Sequence, residues 1–295
     1  MGVSNEADGE NYMSPVIIIG APRSGTNMLR DVLCKVDGIS TWPCDEINYI
    51  WRFGNSRFET DEFTAAMATE RTSKYIRRAF TKLAGATSND IVLEKTCANS
   101  LRVGFVDEIF PQCKYIYIVR DGVDVVGSSA KRWAAKLDLK YLIKKARYVP
   151  ASDVAYYAIK YLKSRVHKVI SKQGILSVWG PKFDGLRELP QDIGVQEVCA
   201  HQWKQCVKRS EEAFNNICSS RVLKVKYESF VENPANELER IFSFLALEVD
   251  KEKVLPLTGG ISSASVGKGR LQLAPDEIEK IESIAAVELK VQGYL

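Results

Sequence analysis

The sequence predicts an α/β domain, a P-loop-like three-layer sandwich in which a mostly parallel central sheet is flanked by helices. Three observations carry this. Residues 15–33, PVIIIGAPRSGTNMLRDVL, run an apolar, β-branched strand into a glycine-bounded loop and then an amphipathic helix. A strand followed by a helix returns at 91–110, at 114–133 and after residue 221. The 295 residues are 45% hydrophobic, enough to bury one full core, and no repeat or linker divides them.

The first stretch is also the most informative chemically. Val16 to Ile19 suit a strand covered on both faces, Gly20 to Gly25 close tightly behind it, and Met28, Leu29, Val32, Leu33 and Val36 recur at helical spacing. A helix beginning at such a loop aims unpaired N–H groups and the positive end of its dipole at whatever occupies the loop, so an anion is the natural guest. The spacing is nearly that of the nucleotide P-loop, with Gly20, Gly25 and Thr26 in place, but the lysine before the hydroxyl is missing. Arg23 is the cation instead, and its planar fork can grip an oxyanion without a metal. The alternative is a P-loop kinase or NTPase using ATP and magnesium, for which Asp121 is the one candidate to hold the metal.

Composition narrows the classes. A net charge of +4, from 41 basic and 37 acidic residues, is too balanced to indicate a nucleic-acid-binding surface and suits an anionic cofactor. Seven cysteines without a C-x-x-C pair point to free thiols and a reducing, cytoplasmic setting. Two histidines make a histidine-rich metal site improbable, so no metal is expected. Residues 1–14 read as a disordered tail rather than a signal peptide or anchor, and no later stretch has the length of a membrane span.

The remaining elements follow in order. Residues 37–55 form a turn-rich, then aromatic loop that carries Asp45 and Glu46; such a loop crosses the carboxyl ends of strands in α/β proteins, where ligands bind. An amphipathic helix is expected over 60–83, a turn at Asn89-Asp90, a strand over 91–96 (IVLEKT) and a helix from Asn99 to Phe110. The strand from Tyr115 to Val119 ends at Arg120, with Asp121 as cap of a helix bearing Ser128, eight residues on, so that Arg120 and Ser128 can face one anion. Residues 134–195 contain two expected helices, 136–147 and 153–170, and a loop with Trp179; this stretch is the expected substrate wall. A helix over 196–218, a strand from Arg221 leading to Tyr227, a helix starting at Asn233-Pro234, a glycine- and serine-rich segment over 258–270 and a final helix from Pro275 to Lys290 complete the domain, which spans 15–295.

The loop GAPRSGTN resembles the 5′-phosphosulfate-binding loop of sulfotransferases, in the form found in carbohydrate (heparan-sulfate-type) and tyrosylprotein members, and the strand–Arg120–helix–Ser128 segment resembles their 3′-phosphate site. The resemblance covers about 15–133 and 196–294. It implies sulfonate transfer from 3′-phosphoadenosine 5′-phosphosulfate to a hydroxyl or amine, with a glycan or small metabolite as acceptor and a tyrosyl peptide as the alternative. It implies cofactor binding by Pro22, Arg23, Ser24, Gly25, Thr26, Asn27, Arg120, Ser128, Tyr227, Lys268, Gly269 and Arg270, and a catalytic set of Glu46 as base with Lys95 and Arg23. Tyr49, Trp51, Trp133 and Trp179 are candidates to line the acceptor. Two departures stand out: Cys97 occupies a position where relatives often have proline, and the late basic loop lacks their usual tryptophan. A scaffold that keeps the fold without the chemistry is the non-enzymatic alternative.

Overall fold

A run of β-branched residues with no polar face needs cover on both sides of its strand, and Val16–Ile19 forms the central strand, β1. The computed structural model describes residues 15–87, 91–133, 147–159, 179–190 and 192–295. The expected tail (1–14), the turn at 89–90 and most of the two helices expected within 134–195 lie outside these. β1 pairs in parallel with β3 (Ile91–Lys95) on one side and β4 (Lys114–Val119) on the other. The short β2 (Ile39–Ser40) lies beyond β3 and β5 (Val222–Lys226) beyond β4, giving the order β2-β3-β1-β4-β5 with every pair parallel.

Strand alternation divides the core into two layers. Ile17, Ile19, Tyr115 and Tyr117 pack with Phe80 of α3 (Glu70–Thr87), Phe105 of α4 (Val103–Ile109) and Trp203 of α6 (Val195–Phe214). Val16, Ile18, Ile116 and Ile118 pack with Leu29 and Leu33 of α1 (Thr26–Leu33), Phe230 of α7 (Tyr227–Glu232) and Leu238 and Ile241 of α8 (Pro234–Leu245). The result is the three-layer sandwich. All seven cysteines stand as thiols, and among the described residues no helix is long and apolar enough to cross a membrane.

Several boundaries shift for local reasons. The helix expected from residue 60 starts at Glu70, because Asp61 is drawn into cross-links: its N–H donates to Lys182 O at 2.7 Å and its Oδ2 accepts Lys182 N at 2.9 Å. The helix expected from Asn99 opens as a 3-10 turn over Cys97–Leu101, where Ser100 Oγ donates to Cys97 O at 2.6 Å, before α4 begins. Asp121 caps α5 (Gly122–Trp133) as expected, accepting Val123 N at 3.0 Å. Pro234 takes the first turn of α8, although Asn233 makes no side-chain cap. The last helix divides into α11 (Pro275–Ile284) and α12 (Ala286–Gln292) at the buried Ala285.

Gly293, in the left-handed region at φ 74°, ends α12 and turns Tyr294 inward. The Tyr294 hydroxyl donates to Glu228 Oε2 at 2.7 Å, and Glu228 Oε1 accepts the Asp121 N–H at 3.0 Å, so one carboxylate joins the C-terminus, α7 and the start of α5. Tyr294→Phe should therefore lower the unfolding free energy by about 1–2 kcal/mol, seen as a lower urea midpoint at unchanged m-value.

Candidate active site

The chain leaves β1 to build β2 and β3 on one side, then crosses to build β4 and β5 on the other. The loops beyond β1 and its neighbours diverge there, and a crevice opens at the strands' carboxyl ends. The ladder aligns Ile18 with Lys95 and with Ile116, and Val119 with Lys226, so Lys95, Arg120 and Tyr227 all emerge beside the loop that follows β1. A cavity of about 710 Å³ fills the crevice, lined by residues from the 22–28 loop, Glu46, Lys95, Cys97, Arg120, Ser128, Tyr227, Lys268 and Gly269 among others.

The loop is built for close approach. Gly25 sits at φ 90°, and a Cβ there would lie 2.5 Å from the Tyr227 ring. Arg23 holds φ 69°, a strained conformation for a residue with a side chain. α1 starts at Thr26 with no side-chain cap and no acidic residue in its first turn. Ser24 Oγ, Asn27 Oδ1 and Arg120 Nε are buried without a hydrogen-bond partner, which suits a polar ligand that reaches them. Partial burial, then the charges of Arg132 and Arg120, hold Arg23 below the ordinary guanidinium range. Cations crowded against one another in this way favour an anion between them.

Arg120 organises the second part of the cavity. Its Nη1 donates to Arg23 O at 3.2 Å, its Nη2 to Ser265 O at 2.5 Å and to Asp124 Oδ2 at 3.4 Å, and its guanidinium lies 4.4 Å from the Tyr227 ring centroid. Tyr227 OH and Ser265 Oγ are 2.5 Å apart. Arg23 Nε donates to Ser128 Oγ at 3.0 Å, which leaves the serine proton for another acceptor. The segment over 258–270, read from sequence as loop, is partly helical: α9 (Lys251–Thr258) precedes it and α10 (Lys268–Gln272) ends it. Asp124 secures it by accepting Gly267 N at 2.8 Å and Gly269 N at 2.6 Å. Gly269 permits the approach, since a Cβ there would meet Val123 O at 2.5 Å.

On the other side, Glu46 Oε1 accepts Lys95 Nζ at 3.2 Å and Cys97 N at 3.2 Å. Proline at position 97 would lack the second donor. Burial works against the Lys95 charge, but the Glu46 carboxylate outweighs it and holds Lys95 above the ordinary lysine range. Burial pushes the Cys97 thiol up to about 12, and its Sγ lies 3.7 Å from Thr26 Oγ1. Asp45 also borders the cavity, with its carboxylate 3.5 Å from Arg30. Among the described residues, no group of three or more His, Cys, Asp or Glu side chains is arranged to hold a metal ion.

The model of the sulfotransferase family matches residues 15–173 and 164–251. The chain belongs to the sulfotransferase family. Solved members share its fold: the sulfotransferase domain of the Synechococcus PCC 7002 olefin synthase aligns at TM-score 0.54 and 17% identity, over 95% of this chain and 97% of that one. The sulfotransferase domain from the curacin biosynthetic pathway aligns at 0.53 and 14%, over 92% and 96%. Mouse sulfotransferase SULT7A1, solved with PAP, aligns at 0.52 and 15%, over 94% and 85%. No curated relative matches the sequence.

Of the residues expected to bind cofactor, Pro22, Arg23, Gly25, Thr26, Asn27, Arg120, Ser128, Tyr227, Lys268 and Gly269 line one cavity with Glu46 and Lys95. Ser24 lies buried under the loop. Arg270 points elsewhere: its Nε donates to Asp121 at 3.2 Å and its Nη1 to Glu282 at 2.6 Å. Of the aromatic candidates, Trp179 borders the cavity, Trp51 is fully buried in the core, and Tyr49 packs edge-on against Tyr157 at 4.7 Å. Sequence reasoning missed Asp124, although it stands in the first turn of α5, four residues before Ser128 on the same helix face and four after Arg120, which it contacts at 3.4 Å. Asp124→Ala should release the 265–272 segment, seen as faster amide exchange at Gly267 and Gly269 while β1 and β4 stay protected.

Proposed function

We propose that the protein transfers a sulfonate group from 3′-phosphoadenosine 5′-phosphosulfate to a hydroxyl or amine of a glycan or small metabolite, by in-line attack. The observation that carries this reading is the meeting of Glu46 and Lys95, 49 residues apart in sequence and 3.2 Å apart in space, on the cavity that the 22–27 loop also lines. In this role the backbone N–H groups of residues 23–27, with Arg23, Thr26 and Asn27, receive the 5′-phosphosulfate. Arg120 and the Ser128 hydroxyl receive the 3′-phosphate, Lys268 adds a cation at the cavity edge, and Tyr227 borders the adenine. Arg270 serves at one remove, by tying α10 to Asp121 and Glu282.

The bound nucleotide supplies an activated sulfonate and a good leaving group. Glu46 accepts the proton of the attacking hydroxyl as its oxygen bonds to sulfur and the bond from sulfur to the phosphate oxygen breaks. Lys95, held protonated, donates to the oxygen on which charge grows, and Arg23 does the same from the loop. Protein cations do the work that magnesium does in a P-loop kinase, and the family match leaves the ATP reading without support.

Two variants test the assignment. Glu46→Gln should lower turnover by about 10²–10⁴-fold, as loss of a general base does, with adenosine 3′,5′-bisphosphate affinity unchanged in titration calorimetry; near-normal turnover would remove Glu46 from the role. Arg120→Ala should weaken adenosine 3′,5′-bisphosphate far more than adenosine 5′-monophosphate, whereas equal losses would contradict the 3′-phosphate assignment. Acceptor class is read by mass spectrometry of glycan, small-metabolite and tyrosyl-peptide pools incubated with isotopically labelled cofactor.

A further inference from the structure

Glu94 immediately precedes Lys95 on β3, so it faces the other side of the sheet and does not line the cavity. Both of its carboxylate oxygens are nevertheless engaged: Oε1 accepts Thr96 Oγ1 at 2.5 Å and Oε2 accepts Asn99 Nδ2 at 2.9 Å. With Glu94 as a carboxylate, which only accepts, each bond has one direction. Thr96 Oγ1 accepts the Ile47 N–H at 3.2 Å, so its single proton goes to Glu94. Asn99 Oδ1 accepts Arg102 Nε at 2.9 Å, which turns the amide nitrogen toward Glu94. Arg102 then extends Nη2 to Asn48 Oδ1 at 2.5 Å. Glu94, Thr96, Asn99 and Arg102 are each no more than 1% exposed. The two ends of this chain of bonds fall on Ile47 and Asn48, the residues directly after Glu46.

We propose that Glu94 is a positioning residue for Glu46: through Thr96 it fixes the Ile47 backbone and through Asn99 and Arg102 the Asn48 side chain, so that the Glu46 carboxylate stays on Lys95 and Cys97 N. The proposal rests on the reading of Glu46 as general base. A buried carboxylate is costly to desolvate, and an apolar side chain would fill the same volume. What Glu94 adds is a pair of acceptors that determine which way Thr96 and Asn99 must point, and thereby where the Glu46 loop is tied.

The test compares Glu94→Gln with the double variant E94Q/N99D. An amide at 94 cannot serve both donors: with its oxygen toward Thr96 it sets NH₂ against the Asn99 NH₂, which cannot flip without meeting Arg102 Nε, and with its oxygen toward Asn99 it drives NH₂ onto Thr96 Oγ1, where it competes with the Ile47 N–H. A carboxylate at 99 accepts from both neighbours and restores the chain of bonds at the same net charge. The readouts are amide exchange at Ile47, the affinity for adenosine 3′,5′-bisphosphate, and the release of adenosine 3′,5′-bisphosphate from 3′-phosphoadenosine 5′-phosphosulfate with water as the sulfonate acceptor.

Glu94→Gln should speed Ile47 exchange about tenfold or more, the effect of losing one buried hydrogen bond. It should slow release by about 10–10²-fold, as a misplaced catalytic group does, at unchanged nucleotide affinity. The double variant should return both toward the parent. Ile47 remaining protected in E94Q, or no recovery in E94Q/N99D, would overturn the proposal. If E94Q does not fold, Thr96→Val, which removes the acceptor for Ile47 N–H at nearly constant shape, carries the same expectation. Glu46→Gln run in parallel separates the two claims: it should slow release while Ile47 stays protected. Normal release in that variant would refute the base assignment, whereas exchange at Ile47 decides the tether.

Discussion

The structure depends on one constraint, the burial of β1 on both faces with the chain crossing from its β3 side to its β4 side. An apolar strand in that place must end where the sheet ends, and the chain beyond it has to turn in the gap between loops that diverge. Gly25 and the strained Arg23 make that turn tight enough for a helix to start at once, with uncapped N–H groups directed into the gap. The cations then come from neighbouring strands at positions set by the parallel register rather than by the loop itself. Lys95 leaves β3 and Arg120 leaves β4, and each is held by a partner that is also part of the site: Glu46 for one, Asp124 and the Ser265 carbonyl for the other.

Beneath the cavity lies a buried set of charges. Arg52 and Arg102 share Asp61, at 2.6 and 3.6 Å, and both lie over the Phe63 ring, at 5.1 and 4.9 Å from its centroid. Burial pushes Glu94 up to about 7, against the Thr96 hydrogen bond and the nearby cations that favour its charge. Such pairs add little net stability over apolar packing, yet removing one partner is expensive because it strands the other. Their effect here is geometric. They hold α2 (Asn48–Trp51) and the loop before it against β3, on the same path that sets Glu46 against Lys95.

Much of this was legible in the sequence, and the limits have physical causes. The layers could be read because strand and helix periodicities are local signals, and Val16–Ile19, Tyr115–Val119 and the α1 stripe are strong ones. The loop was legible because glycines spaced between an apolar strand and a helical stripe mark a tight turn, and the chain makes it at Arg23 and Gly25. The start of α3 was not, because Asp61 is held by Lys182, 121 residues away. Asp124 was obscured for a similar reason: it reads as a helix-interior carboxylate until α10 is seen to fold back on it. The network below Lys95 depends on side-chain orientations that no spacing reports. The cysteine at 97 reads as a departure in sequence, whereas in space its N–H is one of the two donors to Glu46 Oε1.

The central claim is that protein donors alone grip a doubly phosphorylated adenosine at the end of β1. Titration calorimetry of the purified protein with adenosine 3′,5′-bisphosphate in the presence of a chelator tests it most directly. The account predicts saturable binding that is indifferent to magnesium and much tighter than that of ATP. Absence of binding by that nucleotide, together with magnesium-dependent binding of ATP, would contradict it.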